Sequence, residues 1–242
     1  HQAGYSNVTG GTFTAIGWTA GYSYNNTSEN AGSVFIGNQS GYNATGKDNT
    51  IIGGYAGWKL GSGTNNTAVG SGALQSSGTV ASNTGGANSA FGVGTLGANS
   101  SGSNNVAIGF QSLVNNTTAS NNTAVGYQAG YSNTTGANHA VFGKGALYSN
   151  TTGAEHTAIG VDALNGNTTG NYNVALGVGA AKLNTTGSNN TALGYLALLS
   201  NTTASNNTAV GYQAGYNDTT GNTNTAIGWQ SLLDRKSTRL NS

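Results

Sequence analysis

A glycine recurs at every seventeenth position through the second half of this chain. The series is Gly92, Gly109, Gly126, Gly143, Gly160, Gly177, Gly194, Gly211 and Gly228. Each glycine ends a short apolar segment, as at residues 157–160, and a polar turn such as 133–136 follows. A unit of this length is too short to bury its own apolar face, so neighbouring units must stack. The period predicts an all-β fold, a parallel β-solenoid (β-roll) of about thirteen coils with the glycines as a structural series.

The period continues toward the N-terminus with irregular spacing. Equivalent segments end at Gly17, Gly37, Gly53 and Gly70. We assign the extra residues to turns, at 24–30 and 76–84, because loops tolerate insertions better than stacked strands do. The chain is therefore expected to be a single solenoid domain over residues 1–233, truncated at both ends.

Residues 234–242 do not continue the repeat. They resemble the in-frame translation of a widely used short-read sequencing adapter, which indicates a non-native tail on an environmental sequence. The alternative is a genuine basic tail. Without these residues the chain has 7 − 3 = 4 basic and 6 − 1 = 5 acidic residues, a net charge of −1.

Composition excludes several functional classes. Charged residues make up 5% of the chain, and no basic patch for nucleic acid or an anionic membrane is present. The 41 glycines are not accompanied by proline or by a Gly-X-Y triplet, which excludes collagen. Without cysteine the chain has no disulfide and no thiolate metal site. No segment of the sequence resembles a transmembrane span.

Alternation within one unit separates a bulky face from a small face. Residues Thr123, Val125 and Tyr127 share one side, and Ala124 and Gly126 share the other with Asn122 and Gln128. The residue before the glycine is always aliphatic or aromatic. We therefore expect the bulky face inside the solenoid, and the small face outside, packed against another copy of the chain.

Two asparagine positions recur with the same period and predict hydrogen-bonded ladders along the stack. Four residues before the glycine the first ladder holds Asn105, Asn122, Asn173, Asn190, Asn207 and Asn224. Ten residues before it the second holds Asn133, Asn150, Asn167, Asn184 and Asn201. The members of the second ladder are also Asn-X-Thr sequons, and so candidate glycosylation sites, although we favour the simpler interpretation that Asn-Thr-Thr-Gly is a good turn sequence.

Two histidines and a set of aromatic residues invite further interpretations. His139 and His156 replace asparagine at adjacent rungs of the first ladder, where we favour a polar corner role over metal binding. Aromatic residues just after the glycine could form a sugar-stacking stripe, but their parity favours a place in the core. They are Trp18, Phe110, Tyr127, Tyr195, Tyr212 and Trp229.

The recurring Ala-Val/Ile/Leu-Gly-x-x-Ala pattern, with Asn-Thr before it, resembles the head repeats of trimeric autotransporter adhesins. The longer form at residues 122–136 and 207–221 is similar to repeats of tail-fibre-like bacterial and phage proteins. This resemblance covers residues 1–233 and implies a parallel β-roll, three identical chains side by side, and attachment at a cell or virion surface. The units here are longer than those of the adhesins.

No catalytic constellation stands out. Glu29, Asp48, Glu155, Asp162 and Asp218 are scattered over separate units, whereas a glycosidase needs two carboxylates close together. We expect no catalytic residue, cofactor or metal.

The sequence thus favours a structural extracellular fibre or adhesin-type rod. Its partners would be other copies of itself, in a trimer or a head-to-tail fibre. A surface glycan or a receptor would be a further partner. The alternative is a ligand-binding solenoid face for ice or carbohydrate, because threonine recurs in rank. We rank it second because the strand threonines share the parity assigned to the core.

Overall fold

The computed structural model describes residues 2–7, 11–24, 32–76 and 83–233, and the regular secondary structure of this part is entirely β. The strands are β1 (Phe13–Ile16), β2 (Ser33–Ile36), β3 (Thr50–Ile52), β4 (Thr67–Val69), β5 (Ser89–Phe91), β6 (Val106–Ile108), β7 (Thr123–Val125), β8 (Ala140–Phe142), β9 (Thr157–Ile159), β10 (Val174–Leu176), β11 (Thr191–Leu193), β12 (Thr208–Val210) and β13 (Thr225–Ile227). Residues 234–242, and most of the two insertions, lie outside the described residues.

The chain divides into two compact units, His1–Asn122 and Thr123–Ser242. The first contains β1–β6 and the second β7–β13, and within each unit sequential strands pair in parallel. In the second unit every pairing joins residues seventeen apart, as Thr157 with Val174. The predicted all-β parallel solenoid with a 17-residue register is confirmed. That residues 1–233 form one domain stays a prediction.

The irregular spacings of the first unit do not disturb its strands. Phe13 pairs with Ser33 across the 20-residue spacing, and Thr67 pairs with Ser89 across the 22-residue spacing. Strand register is therefore kept while the extra residues are accommodated between strands, as expected for turn insertions.

Each coil closes because several residues adopt left-handed backbone conformations. Around β9 these are Glu155, Gly160, Asp162 and Leu164, with φ of 59°, 131°, 56° and 50°. Left-handed geometry costs a non-glycine residue about 1–2 kcal/mol. Hydrogen bonds to the next coil offset this cost, since backbone pairing continues beyond the strand: the Leu164 N–H donates to the Ala180 carbonyl at 3.0 Å.

The interior of a coil is narrow and is filled by complementary sizes. The residue two before the glycine and the residue four after it both point inward and are fully buried, as with Ala90 and Leu96. Where the first is largest, the second is glycine: Phe35 is followed by Gly41, and Ile51 by Gly57, whose added Cβ would lie 3.1 Å from the Ile51 side chain. A small residue on one side therefore makes room for a large one on the other.

The prediction of which face lies inside is wrong. Ala124 and Asn122, assigned to the outside, are fully buried, whereas Val125 is half-buried and Tyr127 is exposed. The same inversion runs through both units, because every three-residue strand has its middle residue buried and its outer residues facing solvent. In most coils the inward strand residue is alanine, because leucines and the asparagine ladders occupy much of the interior.

The periodic glycines are required by the close approach of successive coils. Gly53 has a φ of 134°, and a Cβ added there would lie 2.5 Å from the Gly70 carbonyl oxygen. Neither the conformation nor the space suits a side chain. Its neighbour Gly54 has nothing within 4 Å of an added Cβ.

This contrast gives a matched pair of substitutions. We expect Gly53→Ala to lower the free energy of unfolding by about 2–4 kcal/mol, because it adds backbone strain and a steric clash. Gly54→Ala should change it by less than about 1 kcal/mol. Urea denaturation of both variants is the measurement, and equal effects would contradict the stacking explanation.

Candidate functional site

The outward-facing side of the strands forms one continuous surface in each unit, which we call the strand face. It consists of the residues three before, one before and one after each periodic glycine. In the second unit it contains Thr123, Val125, Tyr127, Ala140, Phe142, Lys144, Thr157, Ile159, Val161, Val174, Leu176, Val178, Thr191, Leu193, Tyr195, Thr208, Val210, Tyr212, Thr225, Ile227 and Trp229. Leu176 is 45% exposed and Tyr195 is 47% exposed. The strand face is therefore mostly apolar and solvent-facing.

The aromatic residues after the glycine belong to this surface and not to the core, which corrects the preference drawn from their parity. Trp18, Phe110, Tyr127, Tyr195, Tyr212 and Trp229 are all exposed. In the second unit, Tyr195 stacks on Tyr212 with ring centroids 5.4 Å apart, and Tyr212 stacks on Trp229 at 6.0 Å. Both faces of the Tyr212 ring are therefore covered by neighbouring aromatic rings, and only its edge is accessible to a ligand. This arrangement disfavours the stacking of a sugar on the Tyr212 ring.

The strand threonines also face outward. Thr157, Thr191 and Thr208 begin strands whose middle residue is the buried one. From the sequence, the strand threonines rank as poor ligand-binding residues because they share the alternation of the residues assigned to the core. Their outward orientation removes this objection, although Ala140 and Val174 still interrupt the row of threonines.

The first asparagine ladder is interior. In the second unit, the Asn190 N–H donates to Asn173 Oδ1 at 2.9 Å and the Asn207 N–H donates to Asn190 Oδ1 at 3.0 Å. Asn190 Nδ2 donates to the Ala204 carbonyl at 2.8 Å. Asn224 continues this row, and in the first unit Asn105 and Asn122 are joined in the same way. The Asn190 amide thus satisfies a backbone donor and a backbone acceptor that are buried away from water, whereas Asn207 Nδ2 has no hydrogen-bond partner among the described residues.

The second ladder runs through the side-chain amides themselves. In the second unit, Nδ2 of Asn150, Asn167, Asn184 and Asn201 donates to Oδ1 of the asparagine one coil earlier, at 2.8 to 2.9 Å. Nδ2 of every member, Asn133 included, donates to a carbonyl of its own turn. The residues in this row are Asn133, Asn150, Asn167, Asn184 and Asn201. All five are fully buried.

The burial of these amides bears on glycosylation. Nδ2 is the atom to which a glycan would be attached, and the folded chain has no room for a sugar around these five atoms. We therefore do not propose glycosylation at these positions.

The two histidines reproduce the asparagine pattern. His139 Nδ1 accepts the His156 backbone N–H at 3.2 Å, and His156 Nδ1 accepts the Asn173 N–H at 3.2 Å. Nδ1 thus takes the place of Oδ1, and the proton lies on Nε2, which faces the turn carbonyls of Gly153 and Gly170. The Nδ1 lone pairs are occupied, so the geometry does not suit these atoms as metal ligands.

Burial keeps both rings neutral. It lowers the pKa of His139 to about 3, with the neighbouring His156 adding to the shift, and it lowers the pKa of His156 to about 4. The rings stack in parallel with centroids 5.1 Å apart.

Carboxylates in the described residues do not converge. Asp162 forms a half-exposed ion pair with Lys182 at 3.0 Å, and Asp218 accepts hydrogen bonds from the Gly221 N–H and from Asn224 Nδ2. Glu29 lies outside the described residues. In the part of the chain that the structure describes, no three His, Cys, Asp or Glu side chains form a group able to hold a metal ion. The same part contains no helix with the length and hydropathy needed to cross a membrane.

The fold and this surface define a parallel β-solenoid repeat protein with an outward apolar strand face. No protein-family model, curated protein or solved structure matches the chain. The strand face was missed by sequence reasoning because its parity was assigned to the core. The signal that could have found it is the asparagine ladder, whose members share parity with Ala124 and the other buried alanines.

The second ladder changes at Asp218, and this change explains an unpaired atom. Asp218 occupies the next rung after Asn201, but a carboxylate has no N–H to donate. Asn201 Oδ1 accordingly receives no hydrogen bond from another protein group. A complete amide row therefore needs asparagine at every rung.

We expect Asp218→Asn to raise the free energy of unfolding by about 1 kcal/mol, since it supplies the missing donor to Asn201 Oδ1. Asn184→Asp should lower it by about 3–5 kcal/mol near neutral pH, because it buries a carboxylate against carbonyl oxygens. Asn189→Asp, at an exposed position, is the control. Chemical denaturation measures all three, and destabilisation by Asp218→Asn would refute the ladder argument.

Proposed function

We propose that this chain is a non-catalytic structural rod segment that associates with other copies of itself through the strand face. The rod would belong to an extracellular appendage, at a cell or virion surface, as the resemblance to adhesin heads and tail fibres implies. The observation that supports this proposal best is the exposed apolar strand face of the second unit. A homotrimer is the assembly we favour, because the resemblance implies three chains side by side.

The size of the strand face fits a protein interface. In the second unit it offers three outward positions in each of seven coils, 21 in all. A standard interface uses about 20–30 residues on each side. Aliphatic and aromatic residues dominate these positions, and large exposed apolar patches on soluble proteins mark interaction sites. A partner that covers this surface would remove Phe142, Leu176 and Tyr195 from water.

The charge of the strand face also fits self-association. Of its 21 positions in the second unit, only Lys144 carries a charge. Two copies brought face to face would therefore bury few charges, and desolvation of charged groups would not oppose the contact. This corrects the expected mode of assembly: the interface we propose is made by the bulky residues and not by the buried Ala and Gly positions.

A rod role agrees with how each coil is held. Backbone pairing, the amide ladders and the glycine contacts all act between successive coils, so each coil supports the next. The turn threonines Thr152, Thr169 and Thr186 stay exposed away from the strand face. This leaves a neutral hydroxyl surface on the outside of an assembly, where a surface glycan or a receptor would be met.

The second candidate is a ligand-binding strand face. The outward orientation of Thr157, Thr191 and Thr208 favours it, because hydroxyls repeat there with strand spacing. An ice-binding role would require this face to be free of partner chains. The oligomeric state of the protein therefore separates the two functions.

We expect the chain to be an oligomer whose assembly is lost in the double variant Ile159→Lys/Leu176→Lys, since lysine ammonium groups would have to be buried in the apolar contact. The weakening of association should exceed about a hundredfold. Sedimentation equilibrium measures it, and circular dichroism checks that the strands remain.

The matched control is Thr152→Lys/Thr169→Lys, which places the same two charges on the exposed turns that follow strands β8 and β9. It should leave the oligomer intact. A wild-type chain that sediments as a monomer would overturn the proposal. A monomer that also inhibits ice growth would establish the second candidate.

A further inference from the structure

We propose that His139 and His156 make the coils of β8 and β9 an acid-labile segment of the second unit, which is closed while both rings are neutral and opens when either ring is protonated. The proposal is independent of the strand face and of self-association. It rests on the positions of the two rings within the first asparagine ladder.

Neutral rings complete the ladder. In each, Nδ1 accepts a backbone N–H of the following coil, at 3.2 Å in both cases, and Nε2 donates to a turn carbonyl, that of Gly153 for His139 and that of Gly170 for His156. His139 Nε2 lies 3.4 Å from Asn150 Nδ2, and His156 Nε2 lies 3.1 Å from Asn167 Nδ2. Both histidines are buried.

Protonation would reverse one of these contacts. The added proton would reside on Nδ1, which would then point an N–H at a backbone N–H and turn a hydrogen bond into a contact between two donors. His156 N and Asn173 N would each lose their acceptor. The hydrogen bonds from the backbone of the following coil to the two rings would be broken at this point, and the freed N–H groups would be buried.

In the described part of the chain, no carboxylate is among the groups that shift the pKa of either ring. The polar groups around the pair include the amides of Asn150 and Asn167 and the turn carbonyls of Gly153 and Gly170. The titratable group that faces each ring is the other ring, 5.1 Å away between centroids. Glu155, next to His156 in sequence, is exposed. Two charged rings at this distance would also repel each other.

The direction of the pH effect follows from proton linkage. The pKa of His139 falls to about 3 and that of His156 to about 4 in the folded chain, from an ordinary value of 6.5. Between the folded-state pKa values and 6.5, the unfolded chain binds more protons than the folded chain. The free energy of unfolding is therefore highest above pH 6.5 and decreases as the pH falls below it. Each histidine contributes up to a tenfold change in the unfolding constant for about one pH unit.

The test uses urea unfolding of the full chain and of the variant His139→Asn/His156→Asn at equal protein concentration. Asparagine is the residue that other coils hold at this position, so the variant should keep the ladder. Between about pH 7.5 and about pH 5, the unfolding constant of the wild-type chain should rise on the order of a thousandfold more than that of the variant. An equal rise in both proteins would overturn the proposal.

Histidine proton NMR of the folded wild-type chain gives a second readout that does not depend on the double variant. The single variants assign the two ring signals. We expect both rings to stay neutral down to about pH 5, with signals of opened coils gaining population below it. Rings that titrate near the ordinary value while the second unit stays folded would contradict the proposal.

Discussion

The stacking of nearly identical coils at one strand spacing is the constraint on which the rest of the structure depends. Each residue of a coil contacts the equivalent residue of the next coil. The residue type at each position must therefore be able to pack against, or hydrogen-bond to, another residue of the same type. Gly53 meets this condition because its missing Cβ lets the Gly70 carbonyl approach. Asparagine meets it because an amide has both a donor and an acceptor, which allows a row of identical side chains to satisfy one another.

The same constraint decides what the surface looks like. A coil whose interior already contains two amide rows and a leucine has little space left for the inward strand residue, which is usually alanine, as at Ala158. Bulky residues such as Ile159 and Leu176 are then forced outward. An apolar exterior is thus a consequence of a polar, well-bonded interior. Lateral association is proposed for this reason, since a partner would cover the apolar area that a single chain leaves exposed.

Two departures from the repeat show what each rung must provide. Asp218 can accept but cannot donate, and Asn201 Oδ1 is left without a donor. His139 and His156 can do both, but only in the neutral form that burial imposes. Substitutions at these positions change the chemistry of the stack while leaving its geometry in place.

The sequence by itself determined the period, the strand positions and the two asparagine rows, because glycines and asparagines at fixed spacing have a direct backbone meaning. It did not determine which side of each strand lies inside. Alternation divides Thr123, Ala124 and Val125 into two faces but is symmetric between them, and the usual preference for burying the larger apolar face gave the wrong answer. Only the tertiary structure decided this, because the space inside a coil is set by the residues opposite the strand. Those residues, such as Leu164 and the buried amides, come from other parts of the repeat, and the volume they occupy sets how large the inward strand residue can be, which is alanine in most coils.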